Sequence, residues 1–150
     1  MKRLSLTDQD KDLVAAAIKA SKVAVRQLWD EKSHALVTAA VRLDNGDIIT
    51  ARNITADVGS LSQCAEPSAI LEANLQTDRS ITAIVAVYHD PGHEPKVIPP
   101  CGRCREFITD YARNAFVIIR EPNTDDIFKV KADDLLPYKY GDFWNHRVLT

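Results

Sequence analysis

Long apolar runs are missing from this sequence. The two strongest, residues 81–88 and 115–119, fall far short of the roughly 20 residues a membrane-spanning helix needs, so a membrane protein is not expected. Lys2 and Arg3 are followed by no apolar segment, so no secretory leader is expected either, and a soluble, cytoplasmic protein with reduced thiols is the default. Positive charge is not in excess: 19 Lys and Arg against 21 Asp and Glu leave a net charge of −2, which speaks against a chain built to grip a nucleic-acid backbone. Repeats, low-complexity tracts and linkers are absent. Cysteine is scarce and odd in number, three in all, which does not make a disulfide framework. What is present is ordinary for one globular domain spanning residues 1–150: 45% hydrophobic and 27% charged residues, in a chain long enough to bury roughly 68–70% of its unfolded surface without staples. Cys64, Cys101 and Cys104 are the feature that needs explaining.

The pattern of elements is α-β-β-α-β-α-β-β. Thr7 reads as the cap of a helix that carries apolar residues at helical spacing from Leu13 to Leu28 and fades near Trp29 or Asp30. Residues 34–43 and 47–54 read as strands joined by Asn45-Gly46, a two-residue hairpin signal. Residues 64–76 and 102–114 read as helices, and 81–89, 96–98, 116–120 and 127–130 as strands, the last at a sheet edge. A hairpin followed by alternating units suggests a mixed sheet with helices on both faces.

The cysteines fall in two segments, each where a loop enters a helix. Cys101 and Cys104 are three apart and share a face of the first turn, behind Pro99-Pro100, which stops the preceding strand. Cys64 starts another helix. Three thiols make three ligands, and three ligands plus a water is the pattern of a catalytic zinc site, where a structural site closes with four. Glu66, two positions after Cys64, is then a carboxylate beside that water, placed to shuttle protons. Three thiolates on Zn²⁺ leave a formal charge of −1. Two helix N-termini, with Arg103 and Arg105, are expected to compensate it, at least one arginine by a hydrogen bond to a thiolate. Two other readings stand beside this one. Cys101 and Cys104 alone suit a redox dithiol, and Glu66 alone suits a helix-dipole carboxylate.

Cys64-Ala65-Glu66 with Pro100-Cys101-Gly102-Arg103-Cys104-Arg105, 34 positions beyond Glu66, resembles the zinc deaminase signature in its three-cysteine form. From about Val37 to Trp144 the chain is similar to the small homo-oligomeric cytidine deaminases, a family whose close relatives include the blasticidin S deaminases. The resemblance implies a cytidine deaminase-like three-layer αβα sandwich with a mixed five-stranded sheet and one zinc ion per chain. It implies hydrolysis of a cytosine ring at C4 to uracil and ammonia, with Glu66 passing protons to N3 and to the leaving amine. It also implies a free nucleoside as substrate, with no nucleic acid polymer or membrane as partner, and a homotetramer or dimer. Asn53, eleven residues before Cys64, falls at the family's ribose-binding asparagine, and the Ala65 N–H would hold the base. Phe143 or Trp144 is the candidate for an aromatic stacked near the base. Without the resemblance, Asn53 reads equally as a turn residue, and the two aromatics as packing or subunit contacts.

Four positions depart from the family pattern. Thr55 stands where a ribose-binding glutamate is usual, Pro67 where an arginine is common, Glu106 where glutamine is frequent and Ala35 where many members have phenylalanine. Together they point to a cytosine substrate with an altered or modified sugar end, such as a peptidyl nucleoside antibiotic. A polynucleotide-editing deaminase and an inactive zinc-binding domain are the remaining alternatives. The charge balance and few aromatics stand against the first, and the intact Glu66 against the second.

Overall fold

Thr7 sets the first helix. Its hydroxyl accepts from the Asp10 N–H, and the Asp10 carboxylate accepts from the Thr7 N–H at 2.9 Å, so two donors left over at the helix start are satisfied reciprocally. The computed structural model describes residues 1–23 and 36–144, and in it this helix, α1, is Asp8–Ser21. Leu13 and Ala17 form its buried stripe. The sequence pattern carried α1 towards Trp29. The helix closes instead at Ser21, and residues 24–35 lie outside the described residues. The Ser21 hydroxyl donates back to the Ile18 carbonyl at 2.8 Å, and side chains from the sheet meet the last turn. Arg52 donates to the carbonyls of Ala20 and Val23, and His89 Nδ1 lies 3.0 Å from the Ser21 carbonyl.

The strands are β1 (Leu36–Leu43), β2 (Ile48–Arg52), β3 (Ile81–His89), β4 (Lys96–Ile98), β5 (Phe116–Arg120) and β6 (Ile127–Lys131). The other helices are α2 (Ala65–Gln76) and α3 (Gly102–Tyr111), with short 3₁₀ turns at Gly59–Leu61, Ala132–Leu135 and Tyr140–Trp144. None of the described helices is long and apolar enough to cross a membrane. The β1–β2 hairpin differs from the two-residue turn expected of Asn45-Gly46. The Leu43 N–H meets the Asp47 carbonyl, leaving three loop residues, and of these only Gly46 has positive φ, at 92°. A two-residue type I′ turn needs positive φ at both central residues. Here an ordinary turn is followed by one glycine in the left-handed region.

Five strands form a mixed sheet in the order β2-β1-β3-β5-β6, with β3 and β5 parallel and the other neighbours antiparallel; β4 adds a sixth. One edge of β3 is shared. Ala83, Ile84 and Val85 pair with β5, while Ala86, Val87 and Tyr88 pair with β4. The sheet therefore forks along β3, and the chain leaves β4 through Pro99-Pro100 straight into Cys101.

Helices cover both faces. Ala65, Ala69, Ile70 and Ala73 of α2 and Cys104 and Ile108 of α3 pack with Ala39, Val41, Ile84 and Val117, while Leu13 and Ala17 of α1 pack with Ala40, Val85, Val87 and Ile118. The alternation of β1 between the two clusters is the period-2 signature of a strand covered on both sides. The three-layer αβα sandwich expected from the sequence is the observed architecture. One charged cluster lies inside it. Asp10, with 0% of its surface exposed, accepts from Arg42 Nη1 of β1 at 3.0 Å and from Lys129 Nζ of β6, pinning α1 across the sheet.

Candidate active site

Two helix starts build the site. Cys64 is the N-cap of α2 and Cys101 the N-cap of α3, both in extended conformation, and no side chain caps either helix by a hydrogen bond. Pro67 fits the first turn of α2, where no intrahelical donor is needed. With a cysteine at each cap, the first-turn N–H groups of both helices lie beside the thiols, where their partial positive charge favours sulfur anions.

The three sulfurs lie within 4.8 Å of one another, and Cys101 Sγ is 3.5 Å from Cys104 Sγ. Zinc–thiolate bonds of about 2.3 Å at tetrahedral angles place sulfurs about 3.8 Å apart, so the cluster needs only a small adjustment to close on an ion. Three thiols are also a soft donor set that suits zinc, and they are the one group of potential metal ligands found among the described residues. The residues fit the metal, with a fourth position left for another ligand.

Glu66 lies against this cluster, only 4% exposed, its Oε2 accepting from Cys104 Sγ at 3.3 Å. Burial pushes its carboxyl pKa up, and the Cys104 hydrogen bond only partly opposes that. Burial likewise raises Cys64 and Cys104. For Cys101, burial is outweighed by the Cys104 N–H and the adjoining thiols, and its pKa falls. The cavity above the cluster has a volume of about 450 Å³, in the ordinary range for small-ligand sites. Its wall includes all three cysteines, Glu66, Ala65, Asn53, Thr55 and Arg103.

The arginines do something other than expected. Arg103 donates to the Ser62 carbonyl at 3.1 Å and to Gln63 Oε1 at 2.6 Å, and Arg105 donates to the Pro100 carbonyl at 3.0 Å and the Leu135 carbonyl at 3.4 Å. Neither makes the anticipated hydrogen bond to a thiolate. Arg103 is exposed and spans to the loop before Cys64, and Arg105 reaches back along its helix to the residue preceding Cys101. Asn53 lines the cavity, but its Oδ1 accepts from the Val37 N–H at 2.9 Å, tying the end of β2 to β1. Phe143 and Trp144 have their backbone in the last 3₁₀ turn, and their side chains lie outside the described residues. Sequence reasoning missed Ser62 and Gln63 as partners of Arg103, which no spacing signals across 40 residues. It also missed the partner of Glu106: buried Lys139, whose Nζ meets Glu106 Oε1 at 2.7 Å and Asp110 Oδ1 at 3.1 Å.

A three-layer α/β fold with three thiols and a buried carboxylate at one cavity defines a metal-site enzyme of the kind that keeps one coordination position open. Residues 7–120 match the cytidine and deoxycytidylate deaminase zinc-binding region, and the chain belongs to that family. Blasticidin-S deaminase of Bacillus cereus is 37% identical over 144 residues, covering 93% of this chain and 98% of the relative. A cytidine deaminase of Halalkalibacterium halodurans is 28% identical over 101 residues, covering 67% and 74%. The crystal structure of cytidine deaminase from Burkholderia pseudomallei superposes with a TM-score of 0.70 at 26% identity, over 90% of this chain and 100% of that one.

Proposed function

We propose that this chain is a zinc-dependent hydrolase that converts the cytosine ring of a free nucleoside or nucleoside analogue to uracil and ammonia. The observation that carries the reading is Glu66, a buried carboxylate with a raised pKa, hydrogen-bonded into a three-thiol cluster at the wall of a nucleoside-sized cavity. Cys64, Cys101 and Cys104 are the zinc ligands. Zinc held there supplies Lewis-acid activation of water. Glu66 takes one proton from the attacking water as oxygen bonds to C4 and delivers it to N3 of the ring; it then takes the second proton from the new C4 hydroxyl and passes it to the amine as the C4–N bond breaks, ending as the carboxylate it began as. Water and the cytosine ring are consumed; the uracil ring and ammonia are formed. Because burial favours the protonated carboxyl, Glu66 is suited to return the proton it accepts. Ala65, in the first turn of α2, is the candidate to hold the base, and Asn53, with Phe143 or Trp144, to hold the remainder of the nucleoside. Arg103 and Arg105 offset the thiolate charge through space. A homotetramer in the cytoplasm, working in pyrimidine salvage, is the assembly and setting this reading favours.

Thr55 favours a second reading of the substrate. A hydroxyl at the cavity wall cannot accept two sugar hydroxyl bonds as a carboxylate does, and the 37% identical relative is named as a blasticidin-S deaminase. A nucleoside antibiotic or modified cytosine is therefore the alternative to cytidine. The test is ammonia release, with loss of cytosine absorbance, across cytidine, deoxycytidine, blasticidin S and N4-modified cytidines, on protein carrying about one zinc per chain. Turnover of at least one of these that is lost on chelation supports the reading. Full activity in apo protein, or no turnover of any, rejects it.

A further inference from the structure

Strand β2 leaves one stretch of sheet edge open. The Leu43 N–H donates to the Asp47 carbonyl and the Asn53 N–H to the Val37 carbonyl, so the odd-numbered residues of β2 turn their backbone groups to β1. The N–H and C=O groups of Ile48, Thr50 and Arg52 therefore point away from the sheet, and no described residue bonds to them. Neighbouring edge positions are used. At Ile54, just beyond β2, both outward groups pair with Gln63 at 2.9 Å, and across the sheet Leu4 pairs with Lys129 of β6 at 3.0 Å in both directions. The open stretch carries none of the usual blocks to pairing: no proline, no lysine and no bulge. Beside it runs a groove of about 510 Å³ between β2 and α2. Ile49 and Ala51 face the α2 side, and Ser68, Glu72 and Gln76, at four-residue spacing on α2, form the other wall. Among the described residues, Glu72 is the one carboxylate of the groove. Its Oε1 accepts from Gln76 Nε2 at 2.6 Å, and no described Lys or Arg pairs with it. Arg52 is turned away, onto the Ala20 and Val23 carbonyls at the end of α1.

We propose that the groove along β2 is a docking site for an extended polypeptide segment of a partner protein that carries a basic side chain. The segment adds a strand outside β2 and exchanges backbone hydrogen bonds with Ile48, Thr50 and Arg52. Its side chains alternate between the two faces. Those opposite Ile49 and Ala51 fall on the α2 side, where a lysine or arginine meets Glu72. Charge decides the occupant. A second copy of this chain, paired antiparallel about Thr50, would put two Glu72 carboxylates into one groove, whereas a basic segment complements the one there. The groove shares only Ile54 with the wall of the thiol cavity, so the proposal does not rest on the deaminase reading.

The probe is a fluorescein-labelled synthetic peptide of alternating threonine and valine with one central lysine, titrated with zinc-loaded protein and read by anisotropy. It should bind saturably. The same peptide with glutamate in place of lysine should bind about threefold or more weaker, a difference that shrinks as sodium chloride is raised. Glu72→Gln should bring the two peptides together. Thr50→Pro removes an outward N–H and leaves every bond to β1, so it should weaken the lysine peptide about tenfold or more while zinc content and melting temperature hold. A fully N-methylated lysine peptide, which has no backbone donors, should not bind the unaltered protein. If Thr50→Pro melts early, the N-methylated peptide decides. Absence of saturable binding overturns the proposal, as does binding indifferent to both Thr50→Pro and N-methylation. Equal binding of the lysine and glutamate peptides overturns it too. A dimer seen by sedimentation that Thr50→Pro dissolves, with no peptide binding, assigns the edge to a second copy and overturns the peptide reading.

Discussion

Glu66 carries more consequence than any other single residue. Replacing it with glutamine removes the proposed proton carrier while keeping the shape of the side chain and leaving all three thiols in place. Zinc content by elemental analysis should stay near one per chain, and turnover should drop by about 10²–10⁴-fold or more. Retained turnover would remove Glu66 from the mechanism. Asp10 matters in a different way. It sits in the first turn of α1, where the sequence shows only a helix-dipole carboxylate, yet it is fully buried between Arg42 and Lys129. Burial alone would raise its pKa, but the Lys129, Thr7 and Arg42 donors outweigh it and hold the carboxyl at about 2, against an ordinary 3.8. A depressed carboxylate stabilises the fold above its unfolded pKa, and that contribution is lost as pH falls through the folded one. About 2 kcal/mol of stability should therefore disappear between roughly pH 4 and pH 2. Asp10→Asn should cost about 3–5 kcal/mol at pH 7, by leaving two buried cations short of their anion, and should flatten that acid limb in denaturant titrations. An unchanged limb would mean that Asp10 is not its source.

Among the elements, α3 is the one through which the rest of the molecule is tied to the metal site. It begins at Cys101, carries Cys104 one turn in, and is strapped on its outer side by the C-terminal segment. Tyr138 takes a left-handed φ of 57°, unusual for a non-glycine residue, and Lys139 next to it turns inward, 4% exposed, onto Glu106 and Asp110. Arg113 adds a two-pronged contact to Asp142 at 2.6 and 2.8 Å. The asymmetry of buried charges predicts which change hurts. Glu106→Gln with Asp110→Asn strands a buried ammonium and should cost about 3–5 kcal/mol, whereas Lys139→Met leaves two half-exposed carboxylates that water can solvate and should cost less. Thermal melts of the two variants should rank in that order; the reverse would show that Lys139 contributes by packing alone. Glu106 is one of the positions where the chain departs from the family pattern, and a lysine 33 residues further on accounts for it.

At the scale of the whole molecule, zinc links two motifs that lie on different helices. A ligand bound by the folded state alone stabilises that state by mass action, so chelation should lower the melting temperature as well as abolish activity. Reducing agent should not lower it, because all three cysteines are free thiols and no disulfide holds the sheet. A melting temperature insensitive to chelator in zinc-loaded protein would argue that the cluster is not the metal site.

Much of this was legible in the chain. The two motifs that meet in the thiol cluster are, because the spacing within Cys64-Ala65-Glu66 and within Cys101-Gly102-Arg103-Cys104 sets the residues of each motif on a single helical turn. So are β3, β4 and β5, whose limits follow from β-branched runs stopped by turn residues and by Pro99-Pro100. These are local effects, settled within a few residues. Tertiary structure alone brought Cys64 to the other two sulfurs, placed β4 beside β5 on one edge of β3, and sent Arg103 to Ser62 and Gln63 instead of to sulfur. It also buried Asp10 between two cations and turned Lys139 onto Glu106. Each of those outcomes depends on which donor and which acceptor, dozens of residues apart in the chain, reach hydrogen-bonding distance once the sheet has formed. Spacing along a chain carries no record of that distance.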